Sequence, residues 1–273
     1  MGKTILANNF FKKLGGKGAN QAVAAARLEG EVSFYGSLGM DENVQFIQEQ
    51  LIKENINISL LNYVNDSQTG VAFIELCKSD NRISVVSGAN LETNLTYIKN
   101  VEKSILEHDV FVFQLETPIE IIDYLVPILH KNGKVIVVNP APAIKLTKNL
   151  LDMITYIIPN EHEYKIVLDE DQIKLEDLLR LYPNKLIVTL GKNGTIYFDG
   201  EQQINVPVIK VEAIDTTGAG DTFTGAFSVA ISKGKTVNES ISFANIAAGI
   251  SVTKKGAQDG MPYNIDIEAW LSV

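Results

Sequence analysis

The chain has 273 residues, with 24 lysines and arginines against 33 aspartates and glutamates and a formal charge of −9. A surface this acidic repels phosphate, which excludes general binding to nucleic acid or to anionic membranes as the primary role. Apolar residues make up 45% and charged residues 21%, which excludes wholesale disorder, while the single cysteine, Cys77, excludes an intrachain disulfide and fits a reducing compartment.

No apolar run reaches the roughly 18 residues of a membrane-spanning helix, and residues 1–20 lack a signal-peptide layout, which predicts a cytoplasmic protein. Three histidines and one cysteine cannot build a multi-cysteine zinc centre. With no repeat, low-complexity tract or Pro- or Ser-rich linker, a single domain over residues 1–273 is expected.

In chain order, Thr4–Phe11 reads as a strand. The segment Leu14-Gly-Gly-Lys-Gly-Ala-Asn-Gln-Ala-Val-Ala-Ala-Ala-Arg-Leu28 predicts a glycine loop that feeds a helix whose alanine face packs on a sheet. Lys17 and Asn20 at its mouth can hydrogen-bond a polyol. It is not a P-loop, because the Gly-x-x-x-x-Gly-Lys-Ser/Thr spacing is absent. Thr69–Leu76 and Ile83–Ser87 read as strands joined by a polar hairpin turn at Lys78–Arg82. Together with Thr4–Phe11 they suggest a small antiparallel sheet, either a lid over the carboxyl edge of a main sheet or a plain extension of it.

Beyond residue 101 the pattern alternates. Strands are predicted at Val110–Leu115, Val135–Asn139, Ile154–Pro159 and Leu186–Leu190, with a helix at Pro118–His130. Nearly continuous apolar strands spaced by helices indicate an α/β fold, a parallel sheet covered on both faces. Two late helices follow at Ala219–Ser232 and Asn238–Thr253.

The strongest local motif is Asp215-Thr-Thr-Gly-Ala-Gly-Asp221-Thr-Phe-Thr-Gly-Ala-Phe, a glycine turn running into a helix. Gly218 and Gly220 let amides converge where the helix dipole favours an anion, and Asp221 can cap the helix or accept a proton from a nearby hydroxyl. Alone, the motif fits a capped helix start as well as an anion cradle.

Together, the segments at 14–28 and 215–227 are similar to the two signature regions of the ribokinase family, the PfkB carbohydrate kinases. The likeness continues through Ser87-Gly-Ala-Asn90, Gln114-Leu-Glu116, Asn139-Pro-Ala-Pro-Ala143, Pro159-Asn-Glu-His-Glu163, Thr189-Leu-Gly-Lys-Asn-Gly194 and Thr253-Lys-Lys-Gly-Ala-Gln258. Its order and spacing cover essentially the whole chain, and Gly15-Gly-Lys-Gly-Ala-Asn-Gln21 resembles the members that act on ribose.

This resemblance implies a three-layer α/β sandwich with a small β-sheet lid. It also implies ATP-dependent phosphorylation of D-ribose at O5, with Mg²⁺ accompanying ATP, K⁺ as activating cation and a homodimer formed through the lid. Asp221 would be the base, and the amides of Gly218, Ala219 and Gly220 would stabilise the transferring phosphoryl group. Gly16, Lys17, Asn20, Glu116 and Asp221 match sugar-contacting positions. Asn160, Thr189, Leu190, Gly191, Lys192, Asn193, Gly194, Gly220 and Asn245 match nucleotide contacts. Asn160 and Glu163 match a motif serving Mg²⁺ and phosphates, through water, because Mg²⁺ sheds its hydration reluctantly. Asp215, Thr217, Ser251, Lys254, Gly256 and Gly260 match a monovalent-cation site. His162 is expected to face solvent.

Deoxyribose or a nucleoside is the alternative acceptor, and a catalytically silent sugar- or nucleotide-binding protein is the alternative class, against which the intact Asp221 argues. Hydrolase chemistry has no support, since no Gly-x-Ser-x-Gly occurs. The resemblance departs at the start. Family members open with a strand and a Gly-Ser-x-Asn-x-Asp-like turn whose aspartate grips sugar hydroxyls, whereas Met1-Gly-Lys-Thr-Ile matches the segment just after it. By usual element lengths, a strand and its connection of about 20–30 residues are expected to be absent. Lys3 also stands where the family has an acidic residue.

Overall fold

The computed structural model describes the backbone of residues 8–77 and 80–271, and the side chains of these residues except 76, 77 and 80–82. The first part contains α1 (Lys17–Arg27), β1 (Ser37–Gly39), α2 (Val44–Lys53), β2 (Asn62–Val64), β3 (Val71–Cys77) and β4 (Asp80–Val86). Then come α3 (Leu95–Ile105), β5 (Val110–Phe113), α4 (Glu120–Lys131), β6 (Val135–Val138), α5 (Lys148–Met153), β7 (Tyr156–Ile157), α6 (Tyr164–Leu168) and α7 (Leu175–Leu181). The chain continues with β8 (Val188–Thr189), β9 (Thr195–Phe198), β10 (Gln203–Val206), α8 (Ala219–Ser232), α9 (Val237–Ser251) and α10 (Asn264–Leu271).

Strands β5, β6 and β7 are parallel, with Val112 opposite Val137 and Val137 opposite Tyr156. Parallel bridges from Ile157 to Leu186 and from Asn160 to Thr189 carry the ladder to β8, and β9 and β10 extend it antiparallel. Side chains alternate across this sheet as the two-residue strand period requires. Phe111, Ile136, Val138 and Ile157 are buried on one face with Ile122 and Leu129 of α4, Ile98 of α3, Leu150 of α5 and Leu178 of α7. Val137, Ile158 and Ile187 are buried on the other with Phe223 and Phe227 of α8 and with Ile241 and Ala244 of α9. Each such side chain contributes about 1.5–3 kcal/mol on leaving water. The expected three-layer α/β arrangement is what these two cores produce.

Strand ends are shorter than the apolar runs suggest. The sequence 154–159 supplies only the two-residue β7, and 186–190 only β8, because pairing stops where the neighbouring strand stops. Helix α8 has the predicted bounds, and α9 begins at Val237 behind a Thr236–Glu239 capping box, in which each residue bonds the other's backbone N–H.

Among the described residues, β1 pairs with β2, and β3 pairs with β4 from Val71 opposite Val86 to Cys77 opposite Asp80. Asn81 and Arg82, expected in the hairpin turn, therefore lie in a strand: backbone groups complete a ladder regardless of side-chain polarity. Lys78 and Ser79 lie outside the described residues. Of the expected strand at 4–11, residues 4–7 lie outside the description and residues 8–11 form no strand. Asn8 and Asn9 disfavour strand, and Phe10 and Phe11 are exposed with no partner strand to cover them. The β3–β4 hairpin shows Phe73, Ile74, Ile83 and Val85 to solvent, and Asp41 anchors its root by accepting from the Thr69 N–H at 2.7 Å.

Candidate active site

The carboxyl ends of β5, β6 and β7 open onto a cleft of about 200 Å³, lined by Lys17, Asn139, Ala141, Ile158, Asn160, Glu163, Thr189, Gly218, Gly220 and Asp221. Ligands of open α/β sheets bind at this end. Helix α8 is held there by Phe227, whose ring meets the edge of Tyr156 at 5.1 Å between centroids. Helix α1 lies alongside α8, so the two glycine segments, remote in sequence, face one space.

At the start of α8, Gly218 adopts φ 78°, and a Cβ there would stand 2.8 Å from the Ala257 side chain, so only glycine fits. The first N–H groups of a helix have no intrahelical carbonyl. That of Ala219 is taken by the Thr216 carbonyl at 3.2 Å, which removes one donor expected to serve the cradle. The N–H groups of Gly220 and Asp221 remain for an anion, supported by the helix dipole, and Gly220 has open space beside it.

Asp221 is 8% exposed. Its Oδ2 accepts from Asn20 Nδ2 at 2.8 Å and its Oδ1 from Gln21 Nε2 at 3.0 Å. Burial pushes this carboxyl above the ordinary carboxylate range, while the Gln21 and Asn20 amides and the Lys17 charge pull it back. A carboxylate held this way is a competent proton acceptor. Gln258 Nε2 donates to Asn20 Oδ1 at 2.9 Å, and Gln114 Nε2 to Gln21 Oε1 at 2.5 Å. Gln21, Gln114, Asn139 and Gln258 are site residues the sequence reading did not assign. The available signal was positional: Gln114 and Asn139 directly follow the apolar strands β5 and β6.

Glu116 accepts from the Lys17 backbone N–H at 2.8 Å, and Gly16 turns past it at φ 87°. The expected sugar-contacting residues Gly16, Lys17, Asn20 and Glu116 therefore stand together, next to Asp221. Asn160 and Glu163 form a reciprocal turn: Glu163 Oε2 accepts from the Asn160 N–H at 2.9 Å, and Asn160 Oδ1 from the Glu163 N–H at 3.0 Å. His162 is exposed, as expected.

Of the segment 189–194, Thr189 lines the cleft, and Leu190, Gly191, Lys192, Asn193 and Gly194 form the tight turn beyond it, closed by the Leu190 N–H to the Gly194 carbonyl at 2.8 Å. Asn245 is placed differently from expectation. It is 2% exposed, accepts from Thr195 Oγ1 at 2.8 Å and donates to the Val206 carbonyl at 2.9 Å, so its amide is spent on holding the β9–β10 hairpin. A polar side chain beneath a hairpin satisfies its backbone before it can reach a ligand.

Asp215 accepts from the Thr217 N–H at 3.0 Å and from the Gly256 N–H at 2.8 Å. Burial alone would raise it, but the Gly256 and Thr217 bonds hold its carboxyl below the usual range. Ser251 is buried with its hydroxyl on the Ala248 carbonyl, Gly260 abuts the Ser251 carbonyl oxygen, and Lys254 is exposed. Loops 215–217 and 251–260 are thus joined through Asp215, and Asp259, paired with Lys13, adds a second carboxylate beside Gly256. Among the described residues, no cluster of three or more His, Cys, Asp or Glu is placed to hold a metal, and no helix is long and apolar enough to cross a membrane.

A family model for pfkB family carbohydrate kinases matches residues 2–264. The chain belongs to this family. The ribokinase of Bacillus subtilis is 41% identical over 271 residues, spanning 99% of this chain and 92% of that protein. The deoxyribokinase of Salmonella typhimurium is 31% identical over 281 residues, spanning 100% of this chain and 92% of that protein. The structure of Arabidopsis thaliana ribokinase complexed with ribose and ATP superposes with a TM-score of 0.88 at 30% identity, covering 100% of this chain and 92% of that one. The three layers described above are the ribokinase fold, and this PfkB carbohydrate kinase is a phosphotransferase acting on a sugar hydroxyl.

Proposed function

We propose that this carbohydrate kinase transfers the γ-phosphoryl group of ATP to O5 of D-ribose, giving D-ribose 5-phosphate. One observation carries the reading: the doubly bonded, buried Asp221 carboxylate stands at the start of α8, beside N–H groups left free for an anion. The higher identity to a ribokinase than to a deoxyribokinase supports ribose as acceptor.

Lys17, Asn20 and Glu116, with the Gly16 backbone, hold the sugar, so that its primary hydroxyl lies against Asp221. The carboxylate takes the hydroxyl proton as the oxygen attacks the γ-phosphorus. The Gly218 and Gly220 N–H groups of the expected cradle, joined by that of Asp221 and by the α8 dipole, stabilise charge on the transferring group. Most of the acceleration comes from this positioning. Asn160, Thr189 and the turn at 190–194 hold the nucleotide, with Asn245 keeping the hairpin beneath them in place.

The Asn160–Glu163 turn suits a hydrated Mg²⁺, because Glu163 keeps an oxygen free and the remaining ligands are water and phosphate. When bound, Mg²⁺ neutralises phosphate charge. The Asp215 carboxylate, Thr217 and the Ser251–Gly260 loop, including Gly256, suit K⁺, whose charge would brace the turn at 218–221. The chain is read as one catalytic unit, with the β3–β4 hairpin as lid and its apolar faces as the homodimer surface. ATP as donor and a lone cysteine fit a cytoplasmic enzyme.

The test is ADP release from Mg-ATP with K⁺ present, comparing ribose, deoxyribose, fructose and adenosine. Ribose is expected to give the highest kcat/KM. A higher value for deoxyribose or adenosine would overturn the acceptor, and no release with any of them would overturn the reaction.

A further inference from the structure

We infer that Gln21 is a positioning residue for Asp221: its side-chain amide, locked by Asn139 and Gln114, holds the base ionised and aimed at the acceptor hydroxyl. The inference rests on Asp221 being the base.

The orientation of the Gln21 amide follows from a chain of partners that starts at a backbone carbonyl. The Ile158 carbonyl can only accept, so Asn139 turns its Nδ2 to it, at 2.9 Å. Asn139 Oδ1 then faces Gln21 and can only accept, which requires Gln21 to offer Nε2, at 3.0 Å. The second hydrogen of the same nitrogen goes to Asp221 Oδ1, also at 3.0 Å. Gln21 Oε1 is left to accept from Gln114, at 2.5 Å. A flipped amide would set oxygen against oxygen at two of these contacts.

Gln21 is 3% exposed, and both its amide hydrogens are committed. It has nothing to offer a sugar or a nucleotide, so its contribution passes through Asp221. Because Asn20 serves Oδ2 and Gln21 serves Oδ1, consecutive residues of α1 fix the plane of the carboxylate. Donors also favour the ionised carboxylate over the acid, against the burial that opposes it. Gln114 and Asn139 follow the adjacent strands β5 and β6, so the rigid sheet, not a loop, sets the base.

The charged groups around Asp221 are Lys17 from α1, Glu116 after β5 and Glu163 after β7, and Gln21→Met leaves all three in place. The experiment measures ribose-dependent turnover against pH for the full chain, for Gln21→Met, Gln21→Glu and Asp221→Asn, with ATP binding followed by calorimetry. Gln21→Met is expected to lower kcat about tenfold, as loss of a hydrogen bond to a charged group implies. KM for ATP should stay within about twofold, since Gln21 does not reach the nucleotide. The acid limb of kcat/KM should move to higher pH by about one unit. Gln21→Glu should move it further, because a second carboxylate opposes ionisation of the first.

An unchanged limb and kcat in folded, ATP-binding Gln21→Met, with Asp221→Asn inactive, would overturn the positioning role alone. Retained turnover in Asp221→Asn would instead overturn the base, and the inference with it. If Gln21→Met does not fold, the double variant Gln114→Met/Asn139→Leu, which removes both partners that orient the amide and leaves Gln21 in place, should move the limb in the same direction. An unmoved limb there overturns the inference equally.

Discussion

Gly225 of α8 lies directly against Gln21 of α1: a Cβ on Gly225 would stand 2.6 Å from the Gln21 carbonyl oxygen and 3.1 Å from the Ala25 nitrogen. The two helices therefore touch backbone to backbone one turn beyond Asp221, and this contact sets the distance over which Asn20 and Gln21 reach the carboxylate. Gly225→Ala would push backbone against backbone, which has no flexible side chain to yield. It is expected to destabilise the fold by about 1–3 kcal/mol, the usual cost of overpacking. Because the displaced helix carries the base, kcat should fall as well while KM for ATP holds, as denaturant melts and steady-state kinetics would read.

Asp221→Asn should lower kcat by a factor of about 10² or more, the usual worth of a general base. Calorimetric ATP affinity should be nearly unchanged, since the proposed role sets the carboxylate against the sugar rather than the nucleotide. Turnover near the parent value would remove Asp221 from the role of base.

The pH dependence has a definite sign. Burial raises the Asp221 carboxyl, so the base loses its ionised form at a higher pH than an ordinary aspartate would. Activity should therefore fall on the acid side while pH is still above the usual carboxylate range of about 4. The same raised value means that the buried charge weakens the fold as pH rises through it, opposite in sign to Asp215. Asp215 is held low by the Gly256 and Thr217 N–H groups, so its stabilising contribution is present above its unfolded pKa and lost as pH falls through the folded one. A pH–rate profile, with thermal melts over the same range, checks both.

Asn245→Ala removes the partner of the Thr195 hydroxyl and of the Val206 carbonyl. Leaving buried polar groups unpaired should cost about 1–3 kcal/mol of stability. The effect on KM for ATP should be the smaller one, transmitted through the β9–β10 hairpin. A large loss of ATP affinity with unchanged stability would mean that the side chain meets the nucleotide directly.

Asp215→Ala breaks the link between loops 215–217 and 251–260 at Gly256. The K⁺ concentration giving half-maximal rate is expected to rise several-fold, as loss of a carboxylate from a cation site implies. A potassium titration of activity at fixed ribose and Mg-ATP measures it, and an unmoved midpoint would exclude Asp215 from the cation site.

Helix α8 was legible in sequence because its determinants are local: a glycine turn, an acidic residue in the first turn and an apolar body in consecutive positions. The strands β5 and β6 were legible for the same reason, as uninterrupted apolar runs that can only be buried on both faces. The aspartate proposed as base and the glycine loops proposed to serve sugar and phosphate were readable as residue types in order. Strand ends were not, since the ladder ends with its neighbour, nor was the unpaired course of residues 8–11. The roles of Gln21, Gln114, Asn139, Gln258 and Asn245 were decided only by tertiary packing. Their hydrogen bonds join residues 50 to 238 positions apart, apart from backbone contacts. An amide side chain carries both donor and acceptor, and which of them it presents depends on the partner that the folded sheet and helices bring to it.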